Sequence, residues 1–119
     1  MEVSIAHNLP HSDHLKSRED FNNVIRSGQQ LRKKGLTLSI SEGKSESSRI
    51  GFIIGKKVGS APQRHRWRRL WKEAFRLERP HFHEIKDLVV LVRPHCPTMN
   101  LDEIRTLLRQ FHTPLSKES

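Results

Sequence analysis

Apolar residues recur along the chain in distinct rhythms, and each rhythm predicts an element. Between Ser17 and Gly28, Phe21, Val24 and Ile25 form a stripe, and Ser17 followed by Asp20 supplies a Ser-x-x-Asp helix start. A short first helix is expected there. Leu36, Leu38 and Ile40 then alternate with Thr37 and Ser39, and Ile50, Phe52 and Ile54 repeat the alternation. Period two predicts two strands with a core face and a second face carrying Thr37, Ser39, Arg49, Gly51, Ile53 and Gly55. The polar run Ser41 to Ser48 between them reads as a hairpin loop. From Ala61 to Glu78 the period becomes helical: Trp67, Leu70, Trp71, Ala74 and Phe75 fall within an arc of about 140°. Ser60 suits the N-cap of that helix, Ala61 and Pro62 its first turn, and Pro80 its end. "DLVVLVRP" (87–94) is apolar on both sides, as an interior strand requires. Asn100 with Glu103 resembles a capping box, opening a last helix that buries Leu101, Ile104, Leu107, Leu108 and Phe111. The expected order is α-β-β-(β)-α-β-α, with room for the extra strand where Lys56-Lys57-Val58-Gly59 leaves the sheet. No repeat and no second domain are visible.

Charge changes the picture more than composition does. The chain has 119 residues, a single domain's worth, and a net charge of +9. Residues 56–79 hold nine basic and two acidic side chains, so nearly all the excess sits in one fifth of the sequence. His65, Arg68, Arg69, Lys72, Arg76 and Arg79 fall opposite the aromatic stripe, with Arg64 and Arg66 at the boundary. Solvated charged helix faces are common, but here only Glu73 and Glu78 are interleaved, too few to relieve the repulsion. Such a face suits an anionic polymer, nucleic acid first and an acidic membrane surface second. No run approaches the roughly 18 apolar residues of a membrane span, and the N-terminus lacks a secretory core, so a cytoplasmic protein is expected. Cys96 is the lone cysteine, which leaves no disulfide framework and no CxxC pair.

The segment "RIGFIIGKKVGSAPQRHRWRRLWKEAFR" (49–76), with "LKSREDFNNVIRSG" (15–28) upstream, resembles the protein component of bacterial ribonuclease P. The similarity runs from about Leu15 to Phe111, through Arg-x-Gly, Lys-Lys-Val-Gly, Arg-x-Arg-x-Arg-Arg and Glu-Ala-Phe-Arg elements in order. It implies a single-domain α+β fold, an α-β sandwich over a small mixed sheet, with an unusual left-handed crossover through the basic helix. It also implies an RNA-binding domain at 15–112 between a flexible segment, 1–14, and a flexible tail, 113–119. The catalytic ribonuclease P RNA would be held by Lys56, Lys57, Gly59, Arg64, His65, Arg66, Arg68, Arg69 and Lys72. The 5′ leader of precursor tRNA would lie in a cleft at Phe21, Ser39, Arg49 and Ile53. His65 stands where the family has Asn, Ile25 where it has a second aromatic, and Ser39 where it has a strand tyrosine. The second strand's open face carries Ile53 and Gly55 in place of small polar residues.

An independent nuclease would need clustered carboxylates around metal ions or a His pair acting as acid and base. The acids are scattered, and helix arithmetic sets Glu73, the acid within the signature, beside Arg66 and Arg69. His11 with His14, or His81 with His83, could ligate a metal, but each pair sits in polar sequence without a third ligand. The resemblance implies that catalysis and the Mg2+ belong mainly to the RNA, and that no residue of the protein is catalytic. Two rival classes are a DNA-binding module and a general RNA-binding or ribosome-associated protein. The first would need a helix immediately upstream of the basic one, where strands are predicted instead.

Overall fold

A computed structural model describes residues 14–15, 17–82 and 84–111. Helix α1, Arg18–Ser27, opens where the Ser17 hydroxyl accepts the Asp20 N–H at 3.0 Å and closes where the Gly28 N–H reaches the Val24 carbonyl. Strands β1 (Gln29–Lys33), β2 (Leu36–Glu42) and β3 (Arg49–Ile54) follow, then helix α2 (Ala61–Glu78), strand β4 (Lys86–Val92) and helix α3 (Leu101–Leu108). Short 3-10 turns occupy Lys56–Val58, Arg79–His81 and Arg109–Phe111. The expected α+β sandwich with a mixed sheet is observed.

The sheet order is β1-β2-β4-β3, which corrects two expectations. β2 and β3 do not form a hairpin: β4 lies between them, antiparallel to β2 and parallel to β3. Leu88, Val90 and Val92 enter one core and Val89 the other, so β4 is the strand that gains most from a central place. The extra strand is β1, paired antiparallel with β2, whereas Lys56–Val58 is a 3-10 turn closed by the Val58 N–H on the Gly55 carbonyl. β1 has one apolar residue, Leu31, among Gln29, Gln30, Arg32 and Lys33, so it carries no alternating signal; it is a polar edge strand.

Helices α2 and α3 cover one face of the sheet, where Trp71, Phe75, Leu38, Leu88, Ile104 and Leu108 are buried. Between these helices the buried Glu78 carboxylate receives Arg105 Nε at 2.5 Å and Arg109 Nε at 3.4 Å. The capping box of α3 is present, with Asn100 and Glu103 bonding each other's backbone N–H groups at 2.8 and 2.9 Å. Helix α1 covers part of the other face through Leu15, Phe21, Val24 and Val89. His14 forms a parallel bridge with Ile50; otherwise the segments expected to be flexible, 1–14 and 113–119, lie outside the described residues, as do His11 and His83.

Candidate nucleic-acid interface

The basic helix is anchored before it is charged. Gln63 Oε1 accepts the Ser60 N–H at 2.7 Å while Ser60 Oγ accepts the Gln63 N–H at 3.3 Å, a complete capping box. Trp67, Trp71, Ala74 and Phe75 bury one side against the sheet, and Leu70 is partly buried with them. That leaves His65, Arg66 and Arg69 exposed, with Arg64, Arg68 and Lys72 half-buried. Arg64 Nε donates to the Gly59 carbonyl at 3.2 Å, tying the helix to the preceding turn, where Lys56 and Lys57 are exposed. Among the described residues no carboxylate pairs with Arg66, Arg68, Arg69 or Lys72. Burial, and then repulsion from Arg68, pushes the Lys72 ammonium below the usual lysine range.

Two cations expected on this face are engaged by the protein itself. Arg76 is held by Glu73 through bonds of 3.1 and 2.8 Å, because a spacing of three brings their side chains together; Glu73 therefore pairs there rather than beside Arg66 and Arg69. Arg79 caps the helix and turns inward, donating to the Ser48 carbonyl at 3.0 Å with its guanidinium 5.6 Å from the Phe75 ring centre. The basic face thus concentrates toward the N-terminal half of α2, where the helix dipole is also positive.

The opposite sheet face, where the leader cleft is expected, is only partly covered by α1. Gly51 is needed there: a Cβ at that position would lie 2.5 Å from Phe21 Cζ, so the ring packs directly on the strand. Strand register then sets Ile53 beside Leu91 and Leu91 beside Thr37; along this row Ile53 is exposed, Leu91 half-buried and Thr37 buried. Ile25 on α1 and Ile53 on β3 are each 39% exposed. The other two expected cleft residues are placed differently. Ser39 is only 3% exposed, on the same face as its register partner Val89, which packs under α1. Arg49 donates to both Asp87 oxygens, at 3.2 and 2.8 Å, and to Asp20 at 3.4 Å; its hydrogen bonding with Asp87 raises its pKa further. It braces α1 and β4 rather than lining the cleft. Sequence reasoning missed Leu91 and Arg93, whose Nη1 donates to Thr37 Oγ1 at 3.2 Å. The alternation of Asp87, Val89 and Leu91 within the apolar run was the available signal for Leu91.

Among the described residues no group of three His, Cys, Asp or Glu side chains could hold a metal. Asp87, Glu73 and Glu78 are committed to arginines. A capped helix with an acid-poor basic face, on an α-β sandwich whose other sheet face is only partly covered, has the donors and charge that suit phosphate.

The family profile for ribonuclease P matches residues 9–115, and the chain belongs to the ribonuclease P protein family. It is 36% identical over 94 residues to the ribonuclease P protein component of Alkaliphilus metalliredigens, covering 79% of this chain and 85% of that one. Similarity to the component of Dictyoglomus turgidum is 37% over 95 residues, covering 79% of each. The fold is that of the Staphylococcus aureus protein, with a TM-score of 0.69 and 23% identity over 83% of this chain and 91% of that one. The Thermotoga maritima protein gives 0.67 and 22%, covering 86% and 96%.

Proposed function

We propose that this chain works by dividing two RNA ligands between the two faces of its sheet. It is an accessory subunit of a ribonucleoprotein endoribonuclease that processes the 5′ ends of tRNA. Lys56, Lys57, Gly59 and the N-terminal half of α2 hold the catalytic RNA, and the cleft between α1 and the face carrying Leu91 and Ile53 takes the leader of the precursor. The observation that carries this reading is the run Arg66, Arg68, Arg69 and Lys72, without a carboxylate partner among the described residues, directly behind a lysine turn and a capped helix start. Guanidinium groups suit bidentate phosphate contact, and unrelieved repulsion between them is offset when phosphates dock.

Ile25, Ile53 and the Phe21 ring supply an apolar surface for bases, but with one aromatic the stacking is weaker than a platform worth roughly 1–3 kcal/mol per base would give. Phosphodiester hydrolysis and the Mg2+ it uses reside mainly with the RNA subunit, since the buried acids here are bound to arginines. No helix of the described residues is long and apolar enough to cross a membrane, in keeping with work in the cytoplasm. Immobilised protein exposed to total bacterial RNA is expected to retain one abundant structured RNA. Retention of ribosomes or of duplex DNA instead would favour a general RNA-binding or a DNA-binding role.

A further inference from the structure

Three segments meet at one end of the sheet, and several of their cations belong to neither surface described above. Register sets Lys33 beside Leu36, Leu36 beside Val92, and Val92 beside Ile54. The β1–β2 turn with Lys33 and Lys34, the exit of β4 at Arg93, and the turn at Lys56 and Lys57 therefore lie at the same end.

The β1 side of this end is a built corner. The Arg93 N–H donates to the Gly35 carbonyl at 2.8 Å and the Cys96 N–H to the Arg93 carbonyl at 3.0 Å, folding the chain after β4 onto the turn. Gly35 has φ +73, and a Cβ there would lie 2.5 Å from Cys96 Cα, so only glycine fits. The bond from Arg93 Nη1 to Thr37 Oγ1 draws this guanidinium toward the open face. Register puts Arg32 beside Thr37 in the row that continues to Leu91 and Ile53, and Gln30 Oε1 orients the Arg32 guanidinium through bonds of 2.6 and 3.1 Å. Arg32, Lys33, Lys34 and Arg93 are all exposed. Among the described residues no carboxylate pairs with them, and residues 32–36 and 93–99 contain no acid.

We propose that Arg32, Lys34 and Arg93 bind backbone phosphates of the single-stranded leader where it leaves the cleft across β2 and β1; Lys33, whose register partner Leu36 lies in the core under α2, belongs to the other face. The inference rests on the cleft reading above and extends it to residues outside it. Three features select this ligand. Arg32 lies in the same row as Ile53, on the face opposite the one that α2 packs against, so the corner continues the cleft rather than the basic helix. Exposed, acid-free cations match a backbone that needs charge and no base readout. Three strand spacings, roughly 14 Å, separate Ile53 from Arg32, so only a leader long enough to cross the sheet reaches the corner.

The test uses the reconstituted holoenzyme and precursor tRNAs with a short and a long leader. Arg32→Gln/Lys34→Ala/Arg93→Gln is compared with wild type, and Lys34→Glu, which disturbs no bond in the corner, guards against a folding defect. Each phosphate of the single strand that is no longer neutralised should lower the log-log salt slope by about 0.7, so the triple variant's deficit on the long leader should shrink by roughly 18-fold between about 50 and 200 mM salt. Short-leader binding and catalytic-RNA binding should match wild type. An unchanged long-leader slope in both variants overturns the proposal, as does an equal loss on both leaders, which would give the corner to the catalytic RNA. If wild type itself shows no dependence on leader length, the cleft reading fails first, and this proposal with it.

Discussion

Replacing Arg49 with Met removes the guanidinium that joins three elements. Its side chain is 15% exposed, that of Asp87 only 2%, and that of Asp20 33%, so the two ion pairs are unequal. Breaking the pair with Asp20 should cost under about 1 kcal/mol, as for other partly solvated pairs. Breaking the pair with Asp87 strands a buried carboxylate, for which about 3–5 kcal/mol is typical. One partner survives, the Lys44 N–H at 3.3 Å from Asp87 Oδ2, so the lower end of that range applies, about 3 kcal/mol. Urea unfolding followed by fluorescence reads this directly, because Trp67 and Trp71 both lie in the main core. With a slope near 1.5 kcal/mol/M the midpoint should fall by about 2 M, while Asp20→Asn should move it by less than about 0.7 M. Asp87→Asn in the Arg49→Met background should restore part of the stability, since the stranded charge is then gone. A midpoint shift for Arg49→Met no larger than that for Asp20→Asn would refute the assignment of Arg49 as a buried brace.

Three further outcomes follow from the same geometry. Alanine at Arg66, Arg68 and Arg69 should weaken binding to the catalytic RNA and lower its salt slope by about 0.9 for each duplex phosphate left without its cation, measured by filter binding at several salt concentrations. Because Lys72 is held below the usual lysine value, free protein loses this proton at a lower pH than an unfolded chain does, and a docked phosphate restores it. RNA affinity should therefore fall as pH rises through that depressed value toward about 10.4, and Lys72→Arg, charged throughout, should abolish Lys72's share of the fall in a pH series of anisotropy titrations. Gly51→Ala should displace the Phe21 ring, destabilising the protein by about 1–3 kcal/mol. In holoenzyme binding assays it should weaken long-leader precursors while sparing the catalytic RNA.

Elements with local signals were legible before the structure. Ser17, Ser60 and Asn100 cap the three α-helices, and the aromatic stripe of α2 docks as its period requires. What the chain order hid depends on distant partners. β1 is recognisable only through β2, since Leu31 alone marks its buried side, and the place of β4 between β2 and β3 is set by pairing rather than succession. The site divides the same way. The exposed cations of α2 follow from helix arithmetic, but Arg79 is drawn to a carbonyl in the loop before β3, and Arg49 to carboxylates on two other elements. Ser39 reads as an open-face polar residue until α1 closes over its neighbour Val89.

As an accessory subunit, this protein is expected to assist a catalytic RNA and not itself to cut. Nuclease-free protein, the catalytic RNA, and both together are incubated with end-labelled precursor tRNA and Mg2+, and the products are sized against the mature tRNA. The expected result is no cleavage by protein alone, and cleavage at the mature 5′ end by the RNA at a rate raised by the protein. Turnover by the protein unaided, or an RNA-catalysed rate that it leaves unchanged, would contradict an accessory role.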